Sequence, residues 1–225
     1  MTSTDDEMQA VRCRGVSKTY RTDASEVPAL IDVDFTSGGA VTALFGPSGS
    51  GKSTLLRILA GLERPDAGQV VLGPHAIGTM SRRSFRRLQT FDLALLFQQP
   101  SYNLVEYLTA REQLVLAAHL RGRGGEDVDA LLDRVGLGPR AGHRPVQLSG
   151  GEQQRLAFAS AVVGGPSWVL ADEPTTHQNE AMIDAVLVAL SAAVTAGTSC
   201  VVATHSPEVI GRASRVLDLS DSRSL

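Results

Sequence analysis

Residues 46–53 read Gly46-Pro-Ser-Gly-Ser-Gly-Lys-Ser53, which is the GxxxxGK[ST] pattern of a phosphate-binding loop. The backbone N–H groups of such a loop surround the phosphates of a nucleotide, the lysine reaches the terminal phosphates, and the last hydroxyl ligates Mg²⁺. Glycines are needed because the backbone approaches anionic oxygens in conformations that a Cβ would block. The sequence therefore predicts a nucleotide site with Mg²⁺, formed by Gly46, Ser48, Gly49, Ser50, Gly51, Lys52, Ser53 and Thr54.

The residues on both sides of the loop support this prediction. Residues 41–45 are an apolar run typical of a buried strand, and residues 52–60 are predicted to form a helix that begins at the anion. Lys52 is one of only two lysines, beside nineteen arginines. A compact ammonium is thus placed where phosphates must be held, in a chain that otherwise uses guanidinium groups. The alternative interpretation is a glycine-rich strand–helix turn without a ligand.

The composition restricts the class of protein. With 225 residues, 43% of them hydrophobic, the chain is long enough to form one large domain over residues 1–225. A net charge of −3 argues against nucleic acid as a partner. The arginine cluster at residues 82–87 is interpreted as a solvated helix face or as a contact to an acidic partner surface. Cys13 and Cys200 are far apart in sequence and are interpreted as thiols in a reducing compartment.

Strand patterns and helical patterns alternate after the loop, which predicts an α/β fold with a mainly parallel sheet and ligands at the carboxyl ends of its strands. Two strands around a polar turn at residues 21–26 predict a small antiparallel element before the loop. Residues 185–204 are long enough and apolar enough to span a bilayer, but Gly197 and the helical spacing favour a helix, a turn and a strand. The predicted strands are 12–18, 33–35, 41–45, 69–72, 93–97, 168–171, 200–203 and 216–219, and the other predicted helices are 81–89, 104–123 and 127–135.

Two adjacent carboxylates, Asp172 and Glu173, directly follow the apolar run 168–171. A strand that passes through a core should not end in adjacent charges that lack partners. We therefore predict that Asp172 belongs to the Mg²⁺ shell opposite Ser53. Glu173 is predicted to orient and deprotonate an attacking water. The alternative interpretation is a solvent-facing turn before Pro174.

A second candidate anion site lies at residues 148–155, which read Leu-Ser-Gly-Gly-Glu-Gln-Gln-Arg. Ser149 and Glu152 have the spacing of a capping box, which alone is an ordinary helix start. Gly150 and Gly151 leave the first helical turn without side chains, so that its N–H groups are available to an anion. A phosphate loop and a second anion-binding helix start suggest that two copies of the chain close on the nucleotide.

Residues 148–155 resemble the signature motif of ATP-binding cassette (ABC) ATPases, in its usual place between the phosphate loop and the acidic strand end. The resemblance covers about residues 10–220. It implies a P-loop NTPase with a RecA-like core, a small antiparallel β subdomain, and a helical subdomain at about residues 99–163 that carries the signature. In the family, residues at the positions of Ser149 and Gly151 bind the γ-phosphate of the ATP held by the other subunit.

The resemblance also implies an activity and two kinds of partner. We expect an Mg²⁺-dependent ATPase that works as a dimer of two such subunits, a homodimer in the simplest case. Its other partner is expected to be an integral membrane permease, which would hold it on the cytoplasmic face of the cell membrane. P-loop kinases and GTPases lack the signature motif, and DNA-repair cassette proteins carry long insertions that this chain does not have.

The resemblance also assigns roles outside the glycine-rich motifs. Tyr20 corresponds to the aromatic residue that stacks on adenine, and His205 to the histidine that contacts the γ-phosphate. Gln98 corresponds to the glutamine that senses Mg²⁺ and the attacking water, although Gln99 is adjacent and the register is open by one residue. The structural alternatives are a half-buried strand tyrosine, a histidine at the edge of the core and a plain surface glutamine.

The segment at residues 100–114 resembles the exporter branch that includes macrolide-efflux and lipoprotein-release ATPases. The resemblance implies export, and a groove for a cytoplasmic helix of the membrane subunit to which Tyr102, Leu104, Tyr107 and Leu108 contribute. The alternative is that these side chains form the core of the helical subdomain. An importer ATPase remains an alternative function, as does a cassette ATPase that controls a membrane protein mechanically without transport.

Residues 176–179 depart from the family pattern. The family usually has a short run ending in leucine and aspartate here, whereas this chain has Thr176-His-Gln-Asn179. Asn179 can still cap the following helix, because Asn and Asp are comparable N-caps. A negative charge is lost, which leaves its effect on hydrolysis and on coupling open. His177 is interpreted as an interface contact.

Overall fold

The computed structural model describes residues 7–22, 25–175, 180–195 and 197–220. The strands are β1 (Val11–Thr22), β2 (Ser25–Ser37), β3 (Val41–Phe45), β4 (Ala67–Leu72), β5 (His75–Ala76), β6 (Leu93–Leu96), β7 (Trp168–Asp172), β8 (Ser199–Ala203) and β9 (Arg215–Asp218). The helices are α1 (Lys52–Leu59), α2 (Arg82–Phe91), α3 (Ala110–Leu120), α4 (Val128–Arg134), α5 (Gly150–Val162), α6 (Glu180–Thr195) and α7 (Pro207–Arg212).

The strands form two sheets of different kinds. The larger sheet is parallel and has the strand order β6-β7-β8-β3-β9. The smaller sheet is antiparallel and has the order β2-β1-β4-β5. The predicted α/β class, with a mainly parallel sheet and a separate antiparallel element, is therefore confirmed.

Both faces of the parallel sheet are buried. Along β7, Trp168 and Leu170 belong to one apolar cluster, whereas Val169 and Ala171 belong to the other. The first cluster includes side chains of α1 and of the antiparallel sheet, and the second includes side chains of α3, α4 and α5. A sheet covered on both faces needs continuous apolar strands, which is why its strands were visible in the sequence as unbroken apolar runs.

The helix predicted over residues 104–123 begins only at Ala110, and this prediction was wrong at its start. Thr109 caps α3 with a capping box that it shares with Glu112. Upstream, side chains take the backbone hydrogen bonds. The Phe97 N–H donates to Asn103 Oδ1 at 3.0 Å, and the Val105 N–H donates to Gln113 Oε1 at 3.0 Å. Such side-chain bonds offer the backbone an alternative to a helix.

Two other predictions concern residues 12–35 and 185–204. The antiparallel hairpin is longer than predicted, since β1 extends to Thr22 and β2 begins at Ser25. The uncharged stretch at 185–204 is a helix, a turn and a strand, as predicted, because α6 ends at Thr195 and β8 begins at Ser199. Within the described ranges, every helix is too short or too polar to cross a bilayer.

Both cysteines are buried and free, in agreement with the predicted thiols. Burial raises the pKa of the Cys200 thiol to about 12. Burial, assisted by the nearby Asp34 charge, raises the pKa of the Cys13 thiol to about 12. Both thiols are therefore protonated at neutral pH and are structural in character.

We predict that Gly68→Ala destabilises the antiparallel sheet. Gly68 has φ +86°, and a Cβ there would lie 2.3 Å from the Gly15 carbonyl oxygen at the β1 bulge. The left-handed backbone alone costs a non-glycine residue about 1–2 kcal/mol, and the overlap with backbone atoms adds to it. Chemical denaturation should show a lower midpoint. Gly78→Ala is the matched control, because a Cβ there meets no atom within 4 Å; equal midpoints for the two variants would contradict the prediction.

Candidate functional site

The carboxyl ends of β3, β8 and β7 lie at the same level. Leu44 of β3 and Asp172 of β7 both pair with Ala203 of β8, which lies between them. The segments that leave these three strands contain the phosphate loop, Glu173 and His205. Neighbouring strands are only about 4.8 Å apart, so this register gathers the predicted catalytic groups at one edge of the sheet.

The phosphate loop has the backbone that its sequence requires. Gly46, Gly49 and Gly51 have φ of 148°, 82° and 97°. A Cβ at Gly51 would lie 2.3 Å from the Ala29 carbonyl oxygen, and one at Gly46 would lie 2.5 Å from Ser50 Oγ. The loop is therefore closed against β2 on one side, whereas Ser48 and Gly49 are exposed on the other. Its open side is the side on which phosphates can bind.

Lys52 and the start of α1 make this loop cationic. The Lys52 side chain is buried, and its Nζ donates to the carbonyl oxygens of Gly46 at 2.7 Å and Pro47 at 3.0 Å. The N-cap of α1 is Gly51, which has no side-chain cap, and the first turn contains no acidic residue. The first N–H groups of the helix thus keep their donor capacity for an anion.

Ser53 and Asp172 form a pair beside the loop. The Ser53 hydroxyl donates a hydrogen bond to the Asp172 carboxylate. Burial raises the pKa of Asp172 above its usual value, the Ser53 hydrogen bond opposes this effect, and the neighbouring Glu173 charge adds to it. A carboxylate that is costly to ionise favours a cation next to it. Two hard oxygen atoms are therefore placed together where a divalent cation can compensate the charge.

Glu173 and His205 form the second pair. The Glu173 Oε1 and His205 Nδ1 atoms are 2.9 Å apart, with Glu173 buried and His205 exposed. The other carboxylate oxygen, Oε2, is buried and has no hydrogen-bond partner among the described residues. Glu173 also has φ 48°, an uncommon conformation for this residue type, and its N–H donates to the Ala203 carbonyl oxygen at 2.9 Å. An orphaned buried oxygen on a strained backbone is typical of a functional carboxylate.

Tyr20 is held against α1 by its hydroxyl group. The Tyr20 hydroxyl donates to Glu63 Oε2 at 2.5 Å and lies 3.3 Å from Thr54 Oγ1. The other Glu63 oxygen, Oε1, is 2.9 Å from Arg57 Nε. The Lys18 ammonium lies 6.0 Å from the centre of the tyrosine ring. These contacts fix the Tyr20 ring, on β1, relative to α1, the helix that begins at the phosphate loop. Sequence reasoning missed Glu63, since no local pattern marks it.

Gln98 and Gln99 are both exposed in the loop after β6. The last residue of β6, Leu96, pairs with Ala171, one residue before Asp172. This loop therefore begins beside the carboxylates, on the far side of β7 from the phosphate loop. The bond from Asn103 Nδ2 to the Leu95 carbonyl oxygen, at 2.8 Å, fixes its shape.

The signature segment lies elsewhere in the chain. Ser149 caps α5 in a complete capping box with Glu152, so the ordinary helix start is present as well. Ser149 and Gly150 are exposed, and a Cβ at Gly150 would meet no atom within 4 Å. Helix α5 packs against β6, which is three strand spacings, or roughly 14 Å, from β3. The signature helix therefore packs on a strand separated by β7 and β8 from the strand that leads into the phosphate loop.

Three further sequence predictions have different outcomes. Tyr102 and Tyr107 are exposed, at 72% and 73%. Leu104 is buried in the cluster beneath α3, so its predicted place in a partner groove was wrong, because bonds from Asn103 to Leu95 and from Val105 to Gln113 hold this part of the segment against the core. The unusual segment at residues 176–179 lies outside the described residues.

Comparisons with known proteins agree with this geometry. A family model described as "ABC transporter" matches residues 31–176. The lipoprotein-releasing system ATP-binding protein LolD of Ruegeria pomeroyi is 40% identical over 220 residues, which cover 95% of this chain and 96% of the relative. The macrolide export ATP-binding/permease protein MacB 1/2 of Paracoccus denitrificans is 37% identical over 218 residues. These cover 95% of this chain but only 32% of that relative.

A solved structure extends the comparison to three dimensions. The dimeric structure of MJ0796, described as a bacterial ABC transporter cassette, superposes with a TM-score of 0.85 at 30% identity. The superposition covers 94% of this chain and 95% of that chain. These matches agree with the phosphate loop, the two adjacent carboxylates at the end of β7 and the separate signature helix. The chain belongs to the ATP-binding cassette family, as an ATPase subunit related to LolD and to the ATP-binding part of MacB.

Proposed function

We propose that this chain binds and hydrolyses ATP with Mg²⁺, as one of two identical subunits that drive a separate membrane permease. The observation that carries the proposal is the arrangement of two carboxylates at one strand end. Asp172 accepts from Ser53 of the phosphate loop, and the next residue, Glu173, contacts His205 while its second oxygen stays buried without a partner. One carboxylate suits a cation, and the other suits a water molecule.

The residues present fit Mg²⁺. Among the described residues, no group of three or more His, Cys, Asp or Glu side chains is placed to hold a metal ion. Mg²⁺ does not need such a cage, because it is usually held by one or two carboxylates, water and the phosphates of the substrate. Ser53 and Asp172 would supply the protein oxygens, with Gln98 at the neighbouring strand end. The ion would neutralise charge on the phosphate oxygens.

Within this proposal, Glu173 supplies the base. Its free oxygen orients the attacking water and accepts a proton from it, and His205 holds the other oxygen and faces the γ-phosphate. Lys52, the loop amides of Gly46, Ser48, Gly49, Ser50 and Gly51, and the α1 start with Ser53 and Thr54 bind the phosphate chain. Tyr20 provides a ring on which adenine stacks, which is worth about 1–3 kcal/mol per base.

A complete site needs a second subunit. The signature residues Ser149 and Gly150 are exposed and Gly151 is half-buried, and their helix start is suited to an anion. Their helix packs against β6, three strands away from the strand that leads into the phosphate loop. A second copy in head-to-tail arrangement would place them on the γ-phosphate, with the helical subdomain of about residues 99–163 carrying them. The dimeric form of the related MJ0796 cassette supports this arrangement.

The membrane partner would bind beside α3. Two grooves border this helix and share Leu116. One, of about 360 Å³, lies between α2, β6, α3 and α5, and the other, of about 440 Å³, includes Tyr107, Leu108, Val115 and Val128. Their exposed apolar side chains suit an amphipathic helix of a permease, which would hold the subunit on the cytoplasmic face of the membrane. The names of the LolD and MacB relatives support export as the direction.

We predict that Glu173→Gln lowers the rate of ATP hydrolysis about 10²–10⁴-fold, because an amide cannot accept the proton of the water. Nucleotide binding should be retained, so that size-exclusion chromatography with ATP and Mg²⁺ shows an accumulated dimer. Phosphate release measures the rate. Glu106→Gln removes an exposed carboxylate and should leave hydrolysis unchanged. Hydrolysis by Glu173→Gln at the parent rate would remove Glu173 from this role.

Two inactive variants should complement each other if the site is shared between subunits. Lys52→Ala disables the phosphate loop, and Gly150→Glu places a negative charge at an open helix start, where it favours the helix but repels the γ-phosphate. Each protein alone should be inactive. An equal mixture should recover up to roughly a quarter of the parent rate, since half of the dimers are mixed and each keeps one intact site. Activity of Gly150→Glu alone would refute a shared site.

We predict that Glu63 affects ATP binding through its hydrogen bond to Tyr20, and a double-mutant cycle can measure this coupling. Tyr20→Phe and Glu63→Ala should each raise KM for ATP and leave kcat nearly unchanged, because the ring loses its fixed orientation. The double variant should be no worse than Glu63→Ala alone, with a coupling energy of about 1 kcal/mol. Glu26→Ala, which removes a surface ion pair with Arg21, is the control. Additive effects on KM would contradict the link.

A further inference from the structure

Helix α2 carries an unpaired cationic face that the proposed ATPase does not use. Arg82, Arg83, Arg86 and Arg87 are all exposed, and the helix contains no acidic residue. None of the four forms an ion pair with an Asp or Glu in the part of the chain that the structure describes. Arg87 instead lies 5.9 Å from the ring centre of Phe91, which is itself exposed.

The opposite face of α2 is fixed to the body of the protein. Leu88 is buried, and Phe85 packs over Gly61 so closely that a Cβ there would lie 2.1 Å from the phenyl ring. With about 100° per residue, the four arginines span roughly 140° and are centred opposite Phe85 and Leu88. The four arginines therefore occupy the outward face of α2, and their side chains leave the helix in different directions around that face.

The convex shape of this arginine face favours a flat partner surface. Diverging arginines on a convex helix form no concave site around a single ion or a peptide, whereas they can all reach one flat anionic surface. Guanidinium groups bind phosphate oxygens in bidentate geometry, and the exposed Phe91 at the end of the helix suits the region between headgroups and acyl chains. The chain as a whole is acidic, with net charge −3, so the cationic face is a local exception.

We propose that the arginine face of α2 binds the anionic phospholipid headgroups of a membrane. Its position agrees with the proposed permease contact, on which it does not depend. Gln89 and Thr90, at the end of the same helix, line the groove of about 360 Å³ beside α3. Lipid contact and permease contact would thus occur on the same side of the subunit, and the lipid contact would orient it before the permease binds.

Vesicle co-sedimentation with the purified full chain tests this proposal. The parent protein should bind mixed phosphatidylglycerol–phosphatidylcholine vesicles and not phosphatidylcholine vesicles, and added salt should weaken the binding. Replacement of all four arginines by glutamine should weaken it by about two to three orders of magnitude, at roughly fivefold for each arginine. ATP hydrolysis, measured on the same samples, should stay at the parent rate and reports separately on the proposed function.

A matched variant replaces four exposed arginines elsewhere, Arg14, Arg64, Arg123 and Arg134, by glutamine. This variant has the same net charge as the variant in which the four arginines of α2 are replaced, but it should bind the anionic vesicles as well as the parent protein does. Equal binding by the two quadruple variants would overturn the proposal. Release by inorganic phosphate beyond that caused by chloride at equal ionic strength would indicate a discrete phosphate site instead. Binding that needs the purified permease and not lipid would assign the face to an acidic protein, and would equally overturn the proposal.

Discussion

The pairing of Leu44 and Asp172 with the same residue, Ala203, is the constraint on which the site depends. It places the ends of β3, β8 and β7 at one level, so that the phosphate loop, Glu173 and His205 leave the sheet side by side. A shift of one residue in a strand would exchange its buried faces. Packing on both faces of the sheet therefore fixes the register, and the register in turn places the phosphate loop beside Glu173 and His205.

Much of the core and of the site was predictable because its determinants are local. The phosphate loop needs glycines where φ is positive, and Gly49 and Gly51 are at those positions. The strands of the parallel sheet are apolar throughout because both of their faces are buried. The carboxylates of Asp172 and Glu173 were predicted to be functional because charges at the end of a buried strand are costly unless a partner compensates them. In each case a short stretch of sequence carries the physical requirement.

The remaining features arise between residues that are distant in sequence. The bond between Tyr20 and Glu63 joins residues 43 positions apart, and no periodicity marks either partner. The false helix start had a more local cause, since the Asn103 and Gln113 side chains bond to backbone groups six and eight positions away and hold this segment in a non-helical conformation. Leu104 then turns into the core. Apolar spacing alone cannot distinguish such a segment from a helix, because both bury leucine at similar intervals.

In the proposed dimer, the separation of the two anion-binding elements would link hydrolysis to movement. Helix α5 packs against β6, whereas the phosphate loop follows β3, three strands away in the sheet. Under the proposed function, a triphosphate bound to one loop would be enclosed by the signature of the other subunit. In that arrangement, binding would draw two subunits together, and loss of the γ-phosphate would remove the charge that both contact. The grooves beside α3 border the same helical layer as α5, so a permease segment seated there would move with it.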